Sequence, residues 1–166
     1  MILSIDPGPV QSAFAVLDEY LKPIEFGILP NDELLDRLHW GEFEGKNDYF
    51  AIEMVAHYGK GMPAGKDVFD TCVWIGRFWQ EADCPYKEFI YRKQETLNLC
   101  GSMRAKDGNI RQALIDRFAQ HDFKNGKGTV KNKDWFYGVS KDVWAAIAVG
   151  VTYYDTVIMN KKKVTP

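Results

Sequence analysis

The sequence predicts an α/β fold around a mixed β-sheet, and three observations support that class. Three short apolar runs near the N-terminus are separated by turn-forming residues, so they are expected to pair as consecutive antiparallel strands. Later apolar runs alternate with segments of helical periodicity, which is typical of strands connected by helices. A long apolar segment rich in small residues follows near the C-terminus and would pack closely on a sheet.

Five strands and five helices are predicted in chain order. The strands are expected at residues 2–6, 13–17, 24–29, 49–55 and 88–91. The helices are expected at about 30–38, 68–82, 92–99, 106–118 and 140–159. Residues 1–160 are expected to form one domain, and residues 161–166 form a basic tail.

Composition excludes several protein classes. A chain of 166 residues that is 46% hydrophobic can bury a core and is too apolar to be disordered. No apolar run approaches the roughly 18 residues of a membrane span, and no signal-peptide pattern opens the chain, so we expect a cytoplasmic protein without membrane contact. The three cysteines lack metal-ligand spacing, which fits reduced thiols.

Charge is distributed unevenly along the chain. Residues 1–85 carry 6 basic and 15 acidic side chains, whereas residues 86–133 carry 11 basic and 5 acidic ones. The basic segment is either a binding surface for a polyanion or an ordinary solvated helical face, and charge alone favours neither.

Three acidic residues are candidates for a metal site. Asp6 ends the first apolar run, Glu53 interrupts the fourth, and Asp142 opens the last helix. Each has a simpler explanation, as a turn former, a salt-bridge partner and a helix N-terminal acid respectively. Together, three oxygen donors at one sheet edge suit Mg²⁺ or Mn²⁺, and a pair of such ions can activate water for phosphodiester cleavage.

Three stretches in this order, ILSIDPG, AIEMV and SKDVWAAIAVGV, resemble the RuvC-type Holliday junction resolvases, specifically their small phage-encoded branch. The resemblance covers residues 1 to about 154 and places the chain in the RNase H-like superfamily. It implies a five-stranded mixed sheet, with three antiparallel strands and then two parallel ones, flanked by helices. It also implies a homodimer that nicks four-way and related branched DNA with Mg²⁺, for which Mn²⁺ substitutes, in the host cytoplasm if phage-encoded.

The resemblance implies catalytic and metal-binding roles for Asp6 and Glu53, and it departs from the family pattern at the last helix. The family has two ligands three residues apart there, and Asp142 matches only one of them. In one register the second ligand falls on Ala145, and in the other the first falls on Val139. Either three carboxylates hold the metals more weakly, or a water or Asp155 contributes, and Asp155 is disfavoured because it lies far along the helix.

Basic and aromatic residues are the remaining candidates. The family places lysines near the cleavage site, and Lys93 and Lys106 match best, with Arg104 as the alternative to Lys106. A cation there would stabilise charge on the phosphate, although these are otherwise ordinary helix residues. The family's wedging aromatic falls on Ala56, and Tyr58 is the nearest residue able to stack on a base. The other predicted DNA contacts are Lys60, Lys66, Arg92 and Arg111.

Three functions fit these residues. The leading hypothesis is a metal-dependent endonuclease for branched DNA. A broader RNase H-like nuclease would instead prefer RNA-containing duplex. A junction-binding module with weakened catalysis would follow from the missing fourth ligand.

Overall fold

The computed structural model describes residues 1–43, 48–56 and 65–160, and within these ranges the chain alternates strands and helices as follows. The strands are β1 (Ile2–Asp6), β2 (Gln11–Leu17), β3 (Pro23–Pro30), β4 (Tyr49–Met54) and β5 (Tyr86–Tyr91). The helices are α1 (Asn31–His39), α2 (Lys66–Glu81), α3 (Arg92–Cys100), α4 (Asp107–Phe118) and α5 (Val143–Tyr153), and a π-helical turn (Tyr154–Ile158) continues α5.

The five strands form one mixed sheet in the order β3-β2-β1-β4-β5. The β1–β2 and β2–β3 pairs are antiparallel, whereas β1–β4 and β4–β5 are parallel. This topology confirms the predicted sheet of three antiparallel strands followed by two parallel ones. It also places β1, the first strand of the chain, at the centre of the sheet.

Alternate side chains of β1 enter two separate cores, one on each face of the sheet. Leu3 and Ile5 pack with the buried residues of α1 and α2. Ile2 belongs to the other core, which α4 and α5 cover. Because side chains alternate along a strand, Asp6 projects to the same face as Ile2, toward α4 and α5.

Helix α5 lies unusually close to the sheet, as its small residues predicted. A Cβ placed on Gly150 would come within 2.6 Å of Leu17 Cδ1 and 2.8 Å of Ser4 Oγ. Glycine is therefore required for the observed approach of the helix to β1 and β2. The approach also brings the N-terminus of α5 to the edge of the sheet where β1 ends.

The last helix begins later than predicted, whereas its helical residues continue to residue 160, close to the predicted end. The α-helical segment begins at Val143 rather than residue 140, because Lys141 has a φ of +49° in the left-handed region. Its C-terminal part becomes π-helical, and there the Thr156 hydroxyl donates to the Thr152 carbonyl oxygen at 2.7 Å. The predicted basic tail lies outside the described residues. None of the helices in the described ranges has the length and apolarity to cross a membrane.

Candidate active site

Asp6 and Glu53 lie side by side at the ends of two adjacent parallel strands. In the β1–β4 ladder Ile5 is paired with Ile52, and each acid is the next residue on its strand. Their side chains leave the same face of the sheet and are hydrogen-bonded to each other. The two carboxyl groups that were predicted at one edge of the sheet are therefore brought into contact.

The electrostatics of this pair follow from its burial. Burial, together with the charge of Glu53, raises the pKa of Asp6 from 3.8 to about 8. Burial also raises the pKa of Glu53, although the hydrogen bond from Asp6 and the charge of Arg92 partly offset that effect. Without a cation, the pair as a whole therefore retains a proton, which the two carboxyl groups share in their hydrogen bond.

The turn after Asp6 does not depend on the Asp6 side chain. The Gly8 amide donates to Ser12 Oγ at 3.2 Å, and Asn31 Nδ2 donates to the Gly8 carbonyl oxygen at 2.9 Å. The Ser12 hydroxyl in turn donates to Asn31 Oδ1 at 2.6 Å. Because buried polar groups of Ser12 and Asn31 hold this turn, the turn-forming explanation of Asp6 loses its support.

Asp142 faces the carboxyl pair from the N-terminus of α5. It is the N-cap residue, yet its side chain accepts no capping hydrogen bond within the described residues. Its charge contributes to the raised pKa of Asp6, which shows that the two carboxyl groups share one local field. The Asp142 carboxylate is therefore available to a ligand rather than used to cap its helix.

The three predicted acids line a single cavity of about 260 Å³. Its walls combine four acidic, three basic and three apolar side chains. They are Asp6, Glu53, Asp107, Asp142, Arg92, Arg111, Lys141, Ile110, Trp144 and Ala145. The same cavity therefore offers carboxylates that could bind a cation and basic side chains that could bind a phosphate.

The sequence left two positions open for the ligand that is missing, Ala145 and Val139, and the burial of these two residues distinguishes them. Ala145 lines the acidic cavity, one helical turn after Asp142. Val139 is fully buried and belongs to the hydrophobic core beneath α5. Ala145 therefore occupies the position at which a further ligand would reach the cavity, and Val139 does not.

Sequence reasoning missed two acids at this site: Asp107, which lines the cavity, and the buried Glu95 of α3 beside it. The Glu95 side chain has 0% exposure, and its Oε2 accepts a hydrogen bond from Arg92 Nη1 at 2.9 Å. Its Oε1 has no hydrogen-bond partner among the described residues. Burial and the charge of Glu53 raise the pKa of Glu95 to about 8. The three-residue spacing from Arg92 on a helix was the available signal.

Among the predicted basic residues, Arg92 and Arg111 line the acidic cavity, and the Arg111 guanidinium lies 5.0 Å from the centre of the Trp144 ring. Lys93 instead lines an adjoining cavity of about 350 Å³, which shares Arg92 with the first. Lys106 and Arg104 are exposed and line neither cavity. Of the predicted basic residues, the two arginines are thus the direct neighbours of the acids, and Lys141, which the sequence reasoning did not name, joins them.

The remaining predicted residues lie elsewhere. Lys66, in the first turn of α2, forms an ion pair with Asp70 at 3.2 Å. Asp155, at the opposite end of the last helix, pairs with Arg117 at 2.6 Å and is not part of the site, as its distance along the helix predicted. Tyr58 and Lys60 lie outside the described residues.

The donor chemistry of the cavity fits a hard divalent cation. Asp6, Glu53 and Asp142 offer carboxylate oxygens, the ligands that Mg²⁺ and Mn²⁺ prefer. The raised pKa of Asp6 reflects its burial and the neighbouring acids Glu53, Glu95 and Asp142, and a bound cation would offset both causes. Within the described residues, however, no group of three or more His, Cys, Asp or Glu side chains is already closed around a metal position. Binding would require Asp142 to approach the pair.

The fold and the acidic cavity together define an RNase H-like α/β protein, and comparison with solved structures gives a narrower likeness. Thermus thermophilus RuvC matches at a TM-score of 0.61 and 15% identity, covering 96% of both chains. T. thermophilus RuvC in complex with Holliday junction substrate matches at 0.64 and 13%, covering 95% of this chain and 94% of that one.

At these identities the likeness shows the fold, which is the RNase H-like fold of RuvC. The resemblance stated from the sequence is thereby confirmed for the architecture, and assignment to the phage-encoded branch stays a prediction. No protein-family model matches the sequence. No curated protein matches it either.

Proposed function

We propose that this protein is a divalent-metal-dependent, structure-selective endonuclease that nicks four-way and related branched DNA by water attack on phosphodiesters. The observation that carries the proposal is the hydrogen-bonded Asp6–Glu53 pair, which faces Asp142 across one cavity. Support also comes from the fold, since the RuvC structure that it matches is described in complex with Holliday junction substrate.

Asp6, Glu53 and Asp142 would hold the metal. Mg²⁺ or Mn²⁺, when bound there, supplies Lewis-acid chemistry and lowers the pKa of water. The strands give Asp6 and Glu53 a rigid backbone, because Asp6 is paired with Ala13 of β2 and Glu53 with Ile90 of β5. Asp142 is carried by a helix packed on that sheet, and its side chain would approach the pair when all three bind a cation.

The cations of the cavity would bind the DNA backbone. Arg92, Arg111 and Lys141 lie on the same walls as the acids and would place a phosphate against them. Such contacts are independent of sequence and strengthen at low salt. We further propose a homodimer, since paired nicks across a four-way junction require two active sites.

One observation favours a second function, a junction-binding protein with weakened catalysis. Ala145 stands at the cavity wall where a fourth acid would reach the metal. An apolar methyl group there offers neither charge nor an oxygen ligand. Such a protein would bind junctions tightly without metal and would not cut them.

The test uses purified protein with synthetic four-way junctions, matched linear duplex and RNA–DNA hybrid. Each substrate is incubated with Mg²⁺, Mn²⁺ or EDTA, and Asp6→Asn is compared with the wild type. We expect paired nicks on the junction that require metal, and a loss of at least about 100-fold in Asp6→Asn. Junction binding by Asp6→Asn should persist.

Each other result has a definite meaning. Preferential cutting of the hybrid would replace the proposal with an RNase H-like activity. Tight junction binding without cutting in either metal would establish the binding module. Cleavage of the junction and the linear duplex at equal rates would refute structure selectivity.

A further inference from the structure

Glu95 is a fully buried acid next to the proposed active site but outside its cavity wall. Its side chain has 0% exposure, and only its Oε2 is hydrogen-bonded within the described residues. An acid in such a position costs several kcal/mol unless it is paired. Its partner is Arg92, three residues earlier on α3. The burial of Glu95 therefore depends on Arg92.

Arg92 is held asymmetrically by its two terminal nitrogens. Nη1 donates to the buried Glu95 at 2.9 Å, whereas Nη2 pairs with Asp107 at the start of α4. The Asp107 side chain is 95% exposed. The first contact is shielded from water, and the second is open to competition from solvent and ions.

Arg92 also occupies a boundary position. It lines the acidic cavity with Asp6 and Glu53, and it lines the adjoining cavity with Lys93 and Met103. Although burial alone would lower the pKa of Arg92, the charges of Glu95, Glu53 and Asp107 raise it. The guanidinium is therefore a permanent cation between the two cavities, and its Nη2 is paired with the exposed Asp107.

We propose that Glu95 is a positioning residue, which holds Nη1 of Arg92 so that Nη2 is presented to a phosphate of the DNA strand in place of Asp107. A planar guanidinium anchored on one side retains a defined orientation on the other. Replacing the partner of Nη2 by a phosphate costs little free energy, because the carboxylate that it displaces is exposed to solvent. Replacing the partner of Nη1 would leave Glu95 buried and unpaired. This inference rests on the proposed action on DNA and adds a role for an acid that contacts no substrate.

The test measures equilibrium binding of a fluorescent four-way junction in EDTA, at several salt concentrations, so that no cleavage occurs. The variants are Arg92→Gln, Glu95→Gln and the double variant, each checked for folding by thermal denaturation. Arg92→Gln should weaken binding roughly tenfold and reduce the slope of log K against log salt by about 1. At pH 9, where Glu95 is ionised, Glu95→Gln should weaken binding with a similar change in slope, although it removes no positive charge.

The double variant decides the relationship between the two residues. If Glu95 acts through Arg92, the double variant should bind no more weakly than Arg92→Gln alone. If the loss of affinity in the double variant equals the product of the losses in the two single variants, the inference is overturned. Unchanged junction binding by a folded Glu95→Gln would overturn it as well. Arg111→Gln is the matched control, because Arg111 lines the same cavity without contacting Glu95 in the described structure, and its loss should multiply with that of Glu95→Gln.

A second double-mutant cycle, between Asp107 and Arg92, does not depend on the stability of Glu95→Gln. Asp107→Asn removes the exposed carboxylate that competes with phosphate for Nη2, so it should tighten junction binding. This gain in affinity should be smaller when the same substitution is made in the Arg92→Gln variant. An equal gain in both backgrounds would contradict exchange at Nη2. Linear duplex run in parallel separates the two proposals: coupling without junction preference refutes only the proposed selectivity, and junction preference without coupling refutes only the role of Glu95.

Discussion

The carboxyl groups of Asp6 and Glu53 are hydrogen-bonded to each other across two adjacent parallel strands at the centre of the sheet. Two buried carboxyl groups in contact cannot both be ionised without a compensating charge. The pair therefore takes up either a proton or a cation. This property links the stability of the metal-free protein to pH.

The first prediction concerns that linkage in EDTA. The pKa of Asp6 is 3.8 when unperturbed and about 8 in the folded protein, so the folded state retains a proton that the unfolded state releases. The free energy of unfolding of the wild type should fall relative to that of Asp6→Asn as the pH rises from 4 to 8. Urea denaturation at a series of pH values measures the difference.

Two controls accompany this measurement. Asp36→Asn, which changes an exposed acid on α1, should leave the pH dependence unaltered. Mg²⁺ should reduce the difference between the wild type and Asp6→Asn, because a bound cation favours the ionised carboxylates. A pH profile of the wild type identical to that of Asp6→Asn would show that the carboxyl pair is not coupled as described.

The second prediction concerns the missing ligand. Ala145→Asp adds a carboxylate to the cavity wall beside Asp142, and it should raise the affinity for Mn²⁺ by roughly tenfold. Isothermal titration with Mn²⁺ measures the change without reference to activity. The matched control is Val139→Asp, which buries a charge in the core and should destabilise the protein by several kcal/mol without strengthening metal binding. Unchanged affinity in a folded Ala145→Asp would remove Ala145 from the site.

The third prediction concerns Asp134, which organises the basic loop before α5. Its carboxylate is fully buried and accepts hydrogen bonds from four backbone amides at 2.6–2.9 Å. Although burial alone would raise the pKa of Asp134, these bonds hold it well below its usual range. Asp134→Asn should therefore lower the free energy of unfolding at pH 7 by roughly 2–3 kcal/mol.

The sign of the pH effect is opposite to that at Asp6. A lowered pKa contributes stability above the ordinary value of 3.8 and loses it as the pH falls through the folded pKa. The gap between the wild type and Asp134→Asn should thus narrow below pH 3.8. A constant gap across acid denaturation would mean that the carboxylate charge does not stabilise the loop.

The fourth prediction concerns the contact of α5 with the sheet. Gly150→Ala places a methyl group 2.6 Å from Leu17 Cδ1 and should cost about 1–3 kcal/mol of stability. Gly76→Ala is the matched control on α2, where a Cβ meets nothing within 4 Å and should instead stabilise the helix by up to about 1 kcal/mol. Chemical denaturation compares the two. Equal effects would show that the approach of α5 is not limited by Gly150.

Local sequence predicted the strands and singled out the two acids, whereas the family resemblance supplied the topology of the sheet. The apolar runs ending at Asp6 and containing Glu53 identify two strands, and their acids are anomalous because a buried carboxylate is costly. The small residues of the last helix likewise predicted its close approach to the sheet. In each case the signal lies within one element and follows from its periodicity or composition.

Tertiary structure alone decided how Glu95, Arg92 and Asp107 are combined. Helix α3 carries polar residues around most of its circumference, so its sequence does not show which side is buried. Burial of Glu95 follows from packing of α3 against the sheet and the neighbouring helices. The choice between Ala145 and Val139 also required the left-handed turn at Lys141, which sets where α5 begins. Sequence thus determined which side chains are costly to bury, and the packing of helices on the sheet determined which of them meet.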